Sequence, residues 1–344
     1  MEKKEEKKSN STKKIIKNSF LFVLLIILTY YFIFKKIDRK GINEALQQTN
    51  LLFILVACVL AAGNIIFESI NVYRTLNMLD EKVNFKQALK YGIVGFFFSA
   101  ITPAATGGQP IQVYYMHKDN IPYTHATVAI LIQSFAYLTA MVSLGVLGFI
   151  INYDYISDLG FLEYFFFIGL LVNSLIILIT LIAMFSKSIA KKLVDFVHSI
   201  INKFNSDKAN SFKEKIEKQL AEYHDSAKFI IKNKSIMVKT IFTAFCQLIS
   251  YHSIAYFVYL ALGSGHLNYF KITSLQSFLY LSVSILPLPG TVGVNETGFS
   301  LLYSPLINKN IVDSAMLLTR GIGFYLVVII TGIILLIYSL RKKH

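Results

Sequence analysis

The sequence contains few charged residues and few cysteines for its length, and both shortages exclude classes of protein. Only 16% of its 344 residues are charged, whereas 54% are apolar. A soluble domain averages about 25% charged and about 45–50% apolar residues, so the composition disfavours a soluble globular protein. The two cysteines, Cys58 and Cys246, lie inside apolar runs. Their number and position exclude a disulfide framework and the usual cysteine-based zinc sites.

The sequence also lacks the motifs of common catalytic sites. It contains no HExxH, no Walker A sequence, no GxGxxG and no grouping of Ser, His and Asp. Its longest hydrophilic segment after the N-terminus covers residues 186–235, which is too small and too polar to bury an enzyme core. We therefore predict no catalytic residues, no metal site and no cofactor.

Long apolar runs dominate what is present. A helix needs about 20 apolar residues to cross the hydrocarbon core of a bilayer. Six runs are read as full spans: Phe20–Phe34, Leu51–Ile70, Thr127–Ile151, Phe161–Phe185, Ile236–Leu262 and Ala315–Leu340. The first run resembles a signal peptide, but no small-residue cleavage site follows it, so we interpret it as a retained span.

Two further apolar stretches, 91–116 and 272–306, are interrupted by proline and glycine. Each half is too short to cross a bilayer, and irregular backbone at membrane depth must be buried in protein or line a wet cavity. The sequence therefore predicts an all-α polytopic membrane protein with six full spans and two re-entrant helical hairpins. Interrupted segments in both halves are typical of inverted-repeat transporters with a site at the midplane.

The basic residues predict the orientation of the chain. The net charge is +14, and 26 of the 34 lysine and arginine residues lie in segments that one topology places in the cytoplasm, against six outside. This asymmetry is typical of a membrane protein with both termini in the cytoplasm, so we expect no nucleic-acid partner. The six spans agree with this orientation only if the 91–116 hairpin enters and leaves on the cytoplasmic side and the 272–306 hairpin enters and leaves on the external side.

The same analysis divides the chain into five parts. Two membrane halves, 18–185 and 236–340, are joined by a basic linker, 186–235. The linker has apolar positions at helical spacing and a capping box from Ser211 to Glu214, so it is read either as amphipathic helices on the membrane surface or as a solvated helical hairpin. Residues 1–17 are predicted to be a disordered basic tail and 341–344 a cytoplasmic tail.

The first hairpin provides neutral polar candidates for binding. The glycines at its centre permit a tight turn, and Pro110 suits the start of the returning helix. That helix would point its N-terminus at the midplane, where free N–H groups attract an anion such as phosphate. The alternative is that these groups only turn the chain. The candidates are Thr102, Pro103, Thr106, Gly107, Gly108, Gln109 and Gln112.

The second hairpin adds a carboxylate. Either Thr291 or Asn295 is predicted to cap its returning helix, and Glu296 lies in the first turn. A carboxylate at membrane depth is costly and usually paired or functional, and Arg320 is the candidate partner. The pair is either purely structural, or the arginine holds a lipid phosphate. The candidates are Pro289, Gly290, Gly293, Asn295, Glu296 and Arg320.

Glu68 completes the set of candidate binding residues. It lies in the second predicted span, with Asn64, Asn71 and Arg74 nearby. Close to an interface such side chains reach the head-group region along their apolar stems, and we favour that interpretation. His252 and Gln247 are weaker candidates, because a lone histidine in a span is more often packed than functional.

The two interrupted stretches resemble a known family. Ser99–Met116, which includes Thr-Pro-Ala-Ala-Thr-Gly-Gly-Gln-Pro, and Leu286–Phe299, with Pro-Leu-Pro-Gly and Gly-Val-Asn-Glu, are similar to the lysylphosphatidylglycerol synthase transmembrane family, the flippase-like part of the multiple peptide resistance factor. The resemblance covers about residues 17–340. Thr-Gly-Gly-Gln-Pro replaces the Pro-Gly-Arg-x-Gly-Glu form of many members, as in a branch common in Gram-positive bacteria.

The resemblance implies translocation of an anionic or aminoacylated phospholipid, and a link to antimicrobial-peptide resistance. In full-length members a soluble domain transfers lysine from lysyl-tRNA to phosphatidylglycerol. The sequence shows no such domain up to His344, so we expect lipid transport without catalysis in a bacterial plasma membrane. The alternatives left open are a secondary transporter of a small solute and a lysyltransferase-family protein that acts with a separate aminoacyl-lipid synthase. A homo-oligomer is also left open.

Overall fold

The computed structural model describes residue 47 and residues 49–185 and 233–341. Every regular element within these residues is helical. Several predictions fall outside them: the tails 1–17 and 342–344, the first span 20–34 and nearly all of the linker 186–235. Those four predictions stay predictions.

The described residues form eleven α-helices, two short 3₁₀ turns and one π-helical turn. In chain order they are α1 (Leu51–Met78), α2 (Phe85–Ala100), a 3₁₀ turn (Pro103–Ala105), α3 (Gly108–Lys118), α4 (Tyr123–Ile151), α5 (Tyr153–Ser157), α6 (Phe161–Phe185), α7 (Lys234–Ala261), α8 (Tyr269–Val283), a second 3₁₀ turn (Pro289–Thr291), α9 (Val294–Tyr303), α10 (Lys309–Arg320), a π turn (Gly321–Leu326) and α11 (Val327–Arg341).

Five of these segments are long and apolar enough to cross a membrane: α1, α4, α6, α7 and the continuous helix from α10 to α11. They coincide with five of the six predicted spans, and many of their large apolar side chains are exposed on the outside of the bundle. Lipid is as apolar as these side chains, so such exposure is favourable only within a bilayer. The chain is therefore an all-α, multi-pass membrane protein, as predicted.

The long helices define two ends of the bundle. Helices α1 and α7 are antiparallel, because the Asn50 N–H donates to the Ala261 carbonyl at 2.8 Å and Asn71 Nδ2 donates to the Thr240 carbonyl at 3.1 Å. The Glu81 carboxylate pairs with His125 at 2.6 Å, which places the start of α4 near the end of α1. We call the two ends the Met78 side and the Leu51 side.

The two interrupted stretches form helical hairpins that enter the bundle from opposite ends. Helices α2, α3, α8 and α9 have 16, 11, 15 and 10 residues. At 1.5 Å per residue none exceeds about 24 Å, which is short of a membrane span. Hairpin 1 (α2–α3) begins and ends on the Met78 side, and hairpin 2 (α8–α9) on the Leu51 side. Their tips contact each other, which confirms the predicted opposite orientation.

Asparagine side chains cap the starts of α1, α2 and α8. Asn50 Oδ1 accepts from the Leu52 N–H, and Asn268 Oδ1 accepts from the Lys271 N–H. Asn84 forms a reciprocal capping box with Gln87. Each cap satisfies one of the N–H groups that a helix start leaves without an intrahelical partner, so the starts of α1, α2 and α8 are fixed by the local sequence.

Glycines allow α4 to pack closely against the entering helix of hairpin 2. A methyl group on Gly145 would lie 2.7 Å from Leu281 Cβ, and one on Gly148 would meet the Ser274 carbonyl oxygen. Small residues let helix backbones approach where lipid removes the hydrophobic driving force between helices. This close packing fixes the depth to which hairpin 2 enters the bundle.

Candidate functional site

The tips of the two hairpins have the same backbone shape. Each is a 3₁₀ turn that starts with proline, Pro103 in one and Pro289 in the other. In both turns the next two residues have positive φ: 50° and 55° for the alanines of hairpin 1, 58° and 52° for Gly290 and Thr291 of hairpin 2. A left-handed residue other than glycine costs roughly 1–2 kcal/mol. Three such residues therefore mark the contact between the tips as strained, a common property of functional sites.

Threonines close the turn of hairpin 1. Thr102 Oγ1 donates to the Phe98 carbonyl at 2.6 Å and accepts from the Gly107 N–H at 2.9 Å, and Thr106 Oγ1 donates to the Pro103 carbonyl at 2.9 Å. Gln109 donates to Ser134 of α4 at 2.8 Å. The side chains of Pro103, Thr106 and Gln109 are exposed, so the hydroxyl of Thr106 and the amide of Gln109 lie at the surface of the tip.

The glycines of hairpin 1 have a different role from the predicted one. Gly107 has a φ of −85° and Gly108 begins α3, so neither uses the left-handed freedom of glycine. Gly108 is required by space, since a methyl group there would clash with Ser99 Oγ and lie 2.6 Å from the Gly95 carbonyl oxygen. Pro110 is the third residue of α3 rather than the first.

Glu68 lies against hairpin 1 and does not reach toward the interface as we favoured. Gln112 is 3% exposed, and its Nε2 donates to Glu68 Oε1 at 2.8 Å and to the Tyr91 carbonyl at 3.0 Å. Gln133 of α4 also hydrogen-bonds the carboxylate. These contacts from α3 and α4 turn Glu68 into the bundle.

The carboxylate of Glu296 organises the tip of hairpin 2. Its Oε2 accepts from the Gly293 N–H at 2.7 Å, which closes the start of α9. The predicted caps are wrong: Asn295 is buried in the first turn of α9, and Thr291 Oγ1 donates to the adjacent Gly290 carbonyl. The glutamate itself is the cap, because Gly293, at a φ of 89°, has no side chain to supply one.

Arg320 is the partner of Glu296, as the sequence predicted. Its Nε donates to Glu296 Oε1 at 2.8 Å, and its Nη2 donates to the Gly290 carbonyl at 2.8 Å. The hydroxyl of Tyr325 donates to the same carboxylate oxygen at 3.0 Å. Glu296 is 2% and Arg320 4% exposed. A buried pair of this kind is stable only when its remaining polar atoms are also hydrogen-bonded, which the glycine backbone and tyrosine achieve here.

An apolar cluster joins both tips to the last long helix. Ala100, Phe324, Tyr325 and Val328 form its buried part, with Val292 of hairpin 2 against it. The guanidinium of Arg320 lies 4.5 Å from the Phe324 ring centroid. A methyl group on Gly290 would overlap that ring. Phe324 therefore lies between the two hairpins and contacts the base of the ion pair.

A pair of tyrosines at mid-bundle was missed by the sequence analysis. The hydroxyls of Tyr137 on α4 and Tyr280 on α8 are 2.7 Å apart. The signal in the sequence that could have revealed this pair is the presence of polar side chains inside otherwise apolar runs. Within the described residues, no group of three or more His, Cys, Asp or Glu side chains is placed to hold a metal ion.

Comparison with known proteins agrees with this architecture. Residues 19–331 match the family described as the lysylphosphatidylglycerol synthase TM region. A UPF0104 membrane protein of Archaeoglobus fulgidus is 24% identical over 315 residues, 90% of this chain and 94% of the relative. A UPF0104 membrane protein of Methanocaldococcus jannaschii is 27% identical over 302 residues, 86% of this chain and 88% of the relative.

Proposed function

The chain belongs to the family of the lysylphosphatidylglycerol synthase transmembrane region, and from that premise we propose that it moves phospholipid between the two leaflets of a membrane. The substrate class is an anionic or aminoacylated phospholipid of the lysylphosphatidylglycerol type. The membrane is the bacterial plasma membrane, with both termini in the cytoplasm. In that orientation the Met78 side is cytoplasmic, because the basic loop before α2 lies there.

The observation that carries the proposal is the contact between two hairpin tips that enter from opposite ends. A headgroup that crosses the membrane needs polar contacts at mid-depth, while its acyl chains stay in lipid. The tip of hairpin 1 exposes Thr106 and Gln109, and the outer faces of the long helices expose apolar side chains. Polar tips inside an apolar bundle match both parts of a phospholipid.

The two returning helices differ in what their N-termini offer to an anion. The start of α9 is occupied by the Glu296 carboxylate. The start of α3 has neither a side-chain cap nor an acidic residue in its first turn. Helix N-termini attract phosphate through free N–H groups and the helix dipole. We therefore assign the phosphate contact to the start of α3, beside Gln109, and the fixing of tip 2 to Arg320.

The test is a leaflet assay in proteoliposomes. Fluorescent phosphatidylglycerol is placed in both leaflets, and dithionite, which does not cross the membrane, quenches the outer label. With active protein the inner label also reaches the outer leaflet and is quenched, whereas protein-free vesicles keep it. A panel with labelled aminoacylated phosphatidylglycerol and a zwitterionic lipid identifies the preferred headgroup. If no lipid is quenched beyond the outer leaflet, the proposal is wrong.

One substitution separates the phosphate contact from folding. Gln109→Glu places a carboxylate at the start of α3, which the helix dipole favours but which repels an anionic headgroup. We expect slower translocation of phosphatidylglycerol, with a melting temperature equal to that of Ser134→Ala, which loses the same hydrogen bond to the Gln109 amide. Gln47→Glu, on an exposed residue ahead of α1, is the matched control and leaves the rate unchanged. Equal translocation rates for the two variants would mean that the phosphate does not bind at the start of α3.

A further inference from the structure

Arg74, near the end of α1, has no carboxylate partner. Its side chain is half-buried, and it forms no ion pair with any residue that the structure describes. Arg320, in contrast, is paired with Glu296. A charge that is withdrawn from water is costly unless it is paired and hydrogen-bonded, so the arginine of α1 is a candidate for binding an anion from outside the chain.

Two neutral acceptors hold the Arg74 guanidinium by one of its nitrogens. Nη1 donates to Asn71 Oδ1 at 2.8 Å and to Thr243 Oγ1 at 3.0 Å. Asn71 Nδ2 donates to the Thr240 carbonyl, and Thr243 Oγ1 donates to the Lys239 carbonyl, so both oxygens are oriented as acceptors. The network occupies both protons of Nη1 and fixes the side chain in the groove between α1 and α7.

The opposite edge of the Arg74 guanidinium is open. Among the described residues, Nε and Nη2 have no hydrogen-bond partner, because both bonds of the side chain are made by Nη1. The N–H groups of Nε and Nη2 point in the same direction and form the planar fork that binds two oxygens of one phosphate. Since the protein already holds Nη1, the direction of this fork is fixed before a ligand binds, which lowers the entropy cost of binding.

The guanidinium lies at the depth of lipid phosphates. Helices α1 and α7 each have 28 residues, which corresponds to about 42 Å at 1.5 Å per residue. The hydrocarbon core is about 30 Å thick, so about 6 Å of each helix projects beyond it on either side. Arg74 is four residues from the end of α1, which is also about 6 Å. Its side chain therefore lies at the boundary between hydrocarbon and head groups on the Met78 side.

Exposed apolar side chains border the groove on both helices. They include Tyr73 on α1 and Val238 and Phe242 on α7. At 100° per residue, Arg74 lies between the exposed side of α1 and the side that contacts α7, and Thr243 lies in the same way between the two sides of α7. Because the helices are antiparallel, both exposed sides flank the same opening of the groove. The opening therefore combines a cationic fork at head-group depth with apolar surface below it.

Lys239 adds a second positive charge at this opening. It precedes Thr243 by one turn on the same face of α7, its side chain is exposed, and no ion pair is formed with it in the described part of the chain. The Glu81 carboxylate, at the same end of the bundle, is already paired with His125. Two positive charges are thus available to an anion that lies in the membrane.

We propose that the groove between α1 and α7 binds one anionic phospholipid from the leaflet on the Met78 side. Nε and Nη2 of Arg74 hold two oxygens of its phosphate, Lys239 adds charge, and the acyl chains lie against the exposed apolar side chains. This lipid is separate from the one that we propose to move at the hairpin tips. Glu68, which contacts hairpin 1, is six residues from Arg74, about 9 Å along α1 and about 120° around its axis.

Tryptophan fluorescence tests the site, because the sequence contains no tryptophan. Phe242→Trp places one reporter in the groove, eight residues from the start of α7 and therefore about 6 Å deeper than Arg74, at the level of acyl chains. The full chain is reconstituted into vesicles of phosphatidylglycerol and phosphatidylcholine, and one of the two lipids carries bromine atoms on its acyl chains, which quench tryptophan on contact. We expect brominated phosphatidylglycerol to quench with several-fold preference over brominated phosphatidylcholine. Equal quenching overturns the proposal and leaves the proposed lipid movement standing, because the leaflet assay is a separate measurement.

Variants assign the preference to the arginine. In the Phe242→Trp background, Arg74→Gln is expected to abolish the preference for phosphatidylglycerol. Lys82→Gln, which removes one charge from an exposed loop on the same side, is the matched control and keeps it. Arg74→Lys retains the charge but loses the fork, so we expect an intermediate preference, and this variant keeps the test open if Arg74→Gln fails to fold. An unchanged preference in Arg74→Lys contradicts binding by the fork.

Two further measurements separate this site from other sources of phosphate. A reporter at Leu178→Trp, on the exposed side of α6, detects lipid in the same leaflet away from the groove, and its quenching should not change with Arg74→Gln. Inorganic phosphate added in excess should leave the quenching of Phe242→Trp unchanged. Loss of the preference on addition of inorganic phosphate would assign the fork to the free anion and overturn the lipid assignment.

Discussion

Arg320 donates one hydrogen bond to the Glu296 carboxylate and another to the Gly290 carbonyl, both at 2.8 Å. A residue of the last long helix thereby holds both the turn of hairpin 2 and the first turn of its returning helix. Because Glu296 also accepts from the Gly293 N–H, the loss of either charge opens the tip as well as the pair.

The first prediction concerns this pair. We expect Glu296→Gln and Arg320→Gln each to lower stability by about 3–5 kcal/mol, because each leaves one uncompensated charge in the interior. The double variant should recover much of the loss, since no lone charge remains. Thermal melts of the four proteins in detergent form the double-mutant cycle.

Lipid added during those melts decides between the two roles left open for Arg320. If the arginine only fixes the tip, phosphatidylglycerol stabilises the wild type and the double variant by the same amount. If Arg320→Gln is folded without lipid but is no longer stabilised by added phosphatidylglycerol, the guanidinium binds the phosphate.

The second prediction concerns the close approach inside hairpin 1. Gly108→Ala should destabilise the protein by about 1–3 kcal/mol, because the added methyl overpacks the space beside Ser99 Oγ and the Gly95 carbonyl. Ser99→Ala in the same protein should restore only part of the loss, since the backbone oxygen remains. Gly265→Ala, where a methyl meets nothing within 4 Å, is the matched control, and a similar loss there would refute the packing argument.

The third prediction concerns motion of the tips. The turns Pro103–Ala105 and Pro289–Thr291 are in contact, so Ala105→Cys and Thr291→Cys together should react with a short, reducible bifunctional thiol reagent. We expect the cross-link to stop lipid translocation and reduction to restore it, because a headgroup cannot pass between tips that are tied together. The single-cysteine variants control for the reagent. Translocation at the wild-type rate by fully cross-linked protein would mean that lipid passes elsewhere.

The fourth prediction concerns orientation. Asp154 and Gly265 are exposed on the Leu51 side, and Lys82 is exposed on the Met78 side. In a protein whose two native cysteines are replaced by alanine, we expect Asp154→Cys and Gly265→Cys to react with an impermeant thiol reagent in intact cells. Lys82→Cys should react only after permeabilisation. The reverse pattern would invert the topology but leave the fold unchanged.

Much of the fold could be predicted because few backbone structures are stable inside a bilayer. Unpaired backbone is not tolerated in lipid, so proline and glycine inside the stretches at 91–116 and 272–306 could only mean short helices buried in protein. Two opposite charges within apolar segments are each too costly alone. That cost predicted the pairing of Glu296 with Arg320.

The parts that could not be predicted depend on contacts between distant residues. The Tyr137–Tyr280 bond joins positions 143 residues apart, and no local pattern specifies it. Glycine at position 108 suggested a flexible turn, whereas the structure needs it for space. The left-handed backbone falls on Ala104 and Ala105 instead, which local propensity disfavours and tertiary packing enforces.

A π turn at Gly321–Leu326 interrupts the regular α-helical hydrogen bonding of the last long helix. Hydrogen bonds from i to i+5 align residues five apart, whereas in an α-helix they would differ by about 140° around the axis. Arg320 and Tyr325 therefore reach the same carboxylate oxygen, while the residues beyond face hairpin 1. Homologous chains should therefore accept the loss of one residue here, because a π turn holds one residue more than the α-helical turn it replaces. The deletion would leave the arginine and the tyrosine four residues apart on one face of a regular α-helix, and α11 would keep its lipid-facing side.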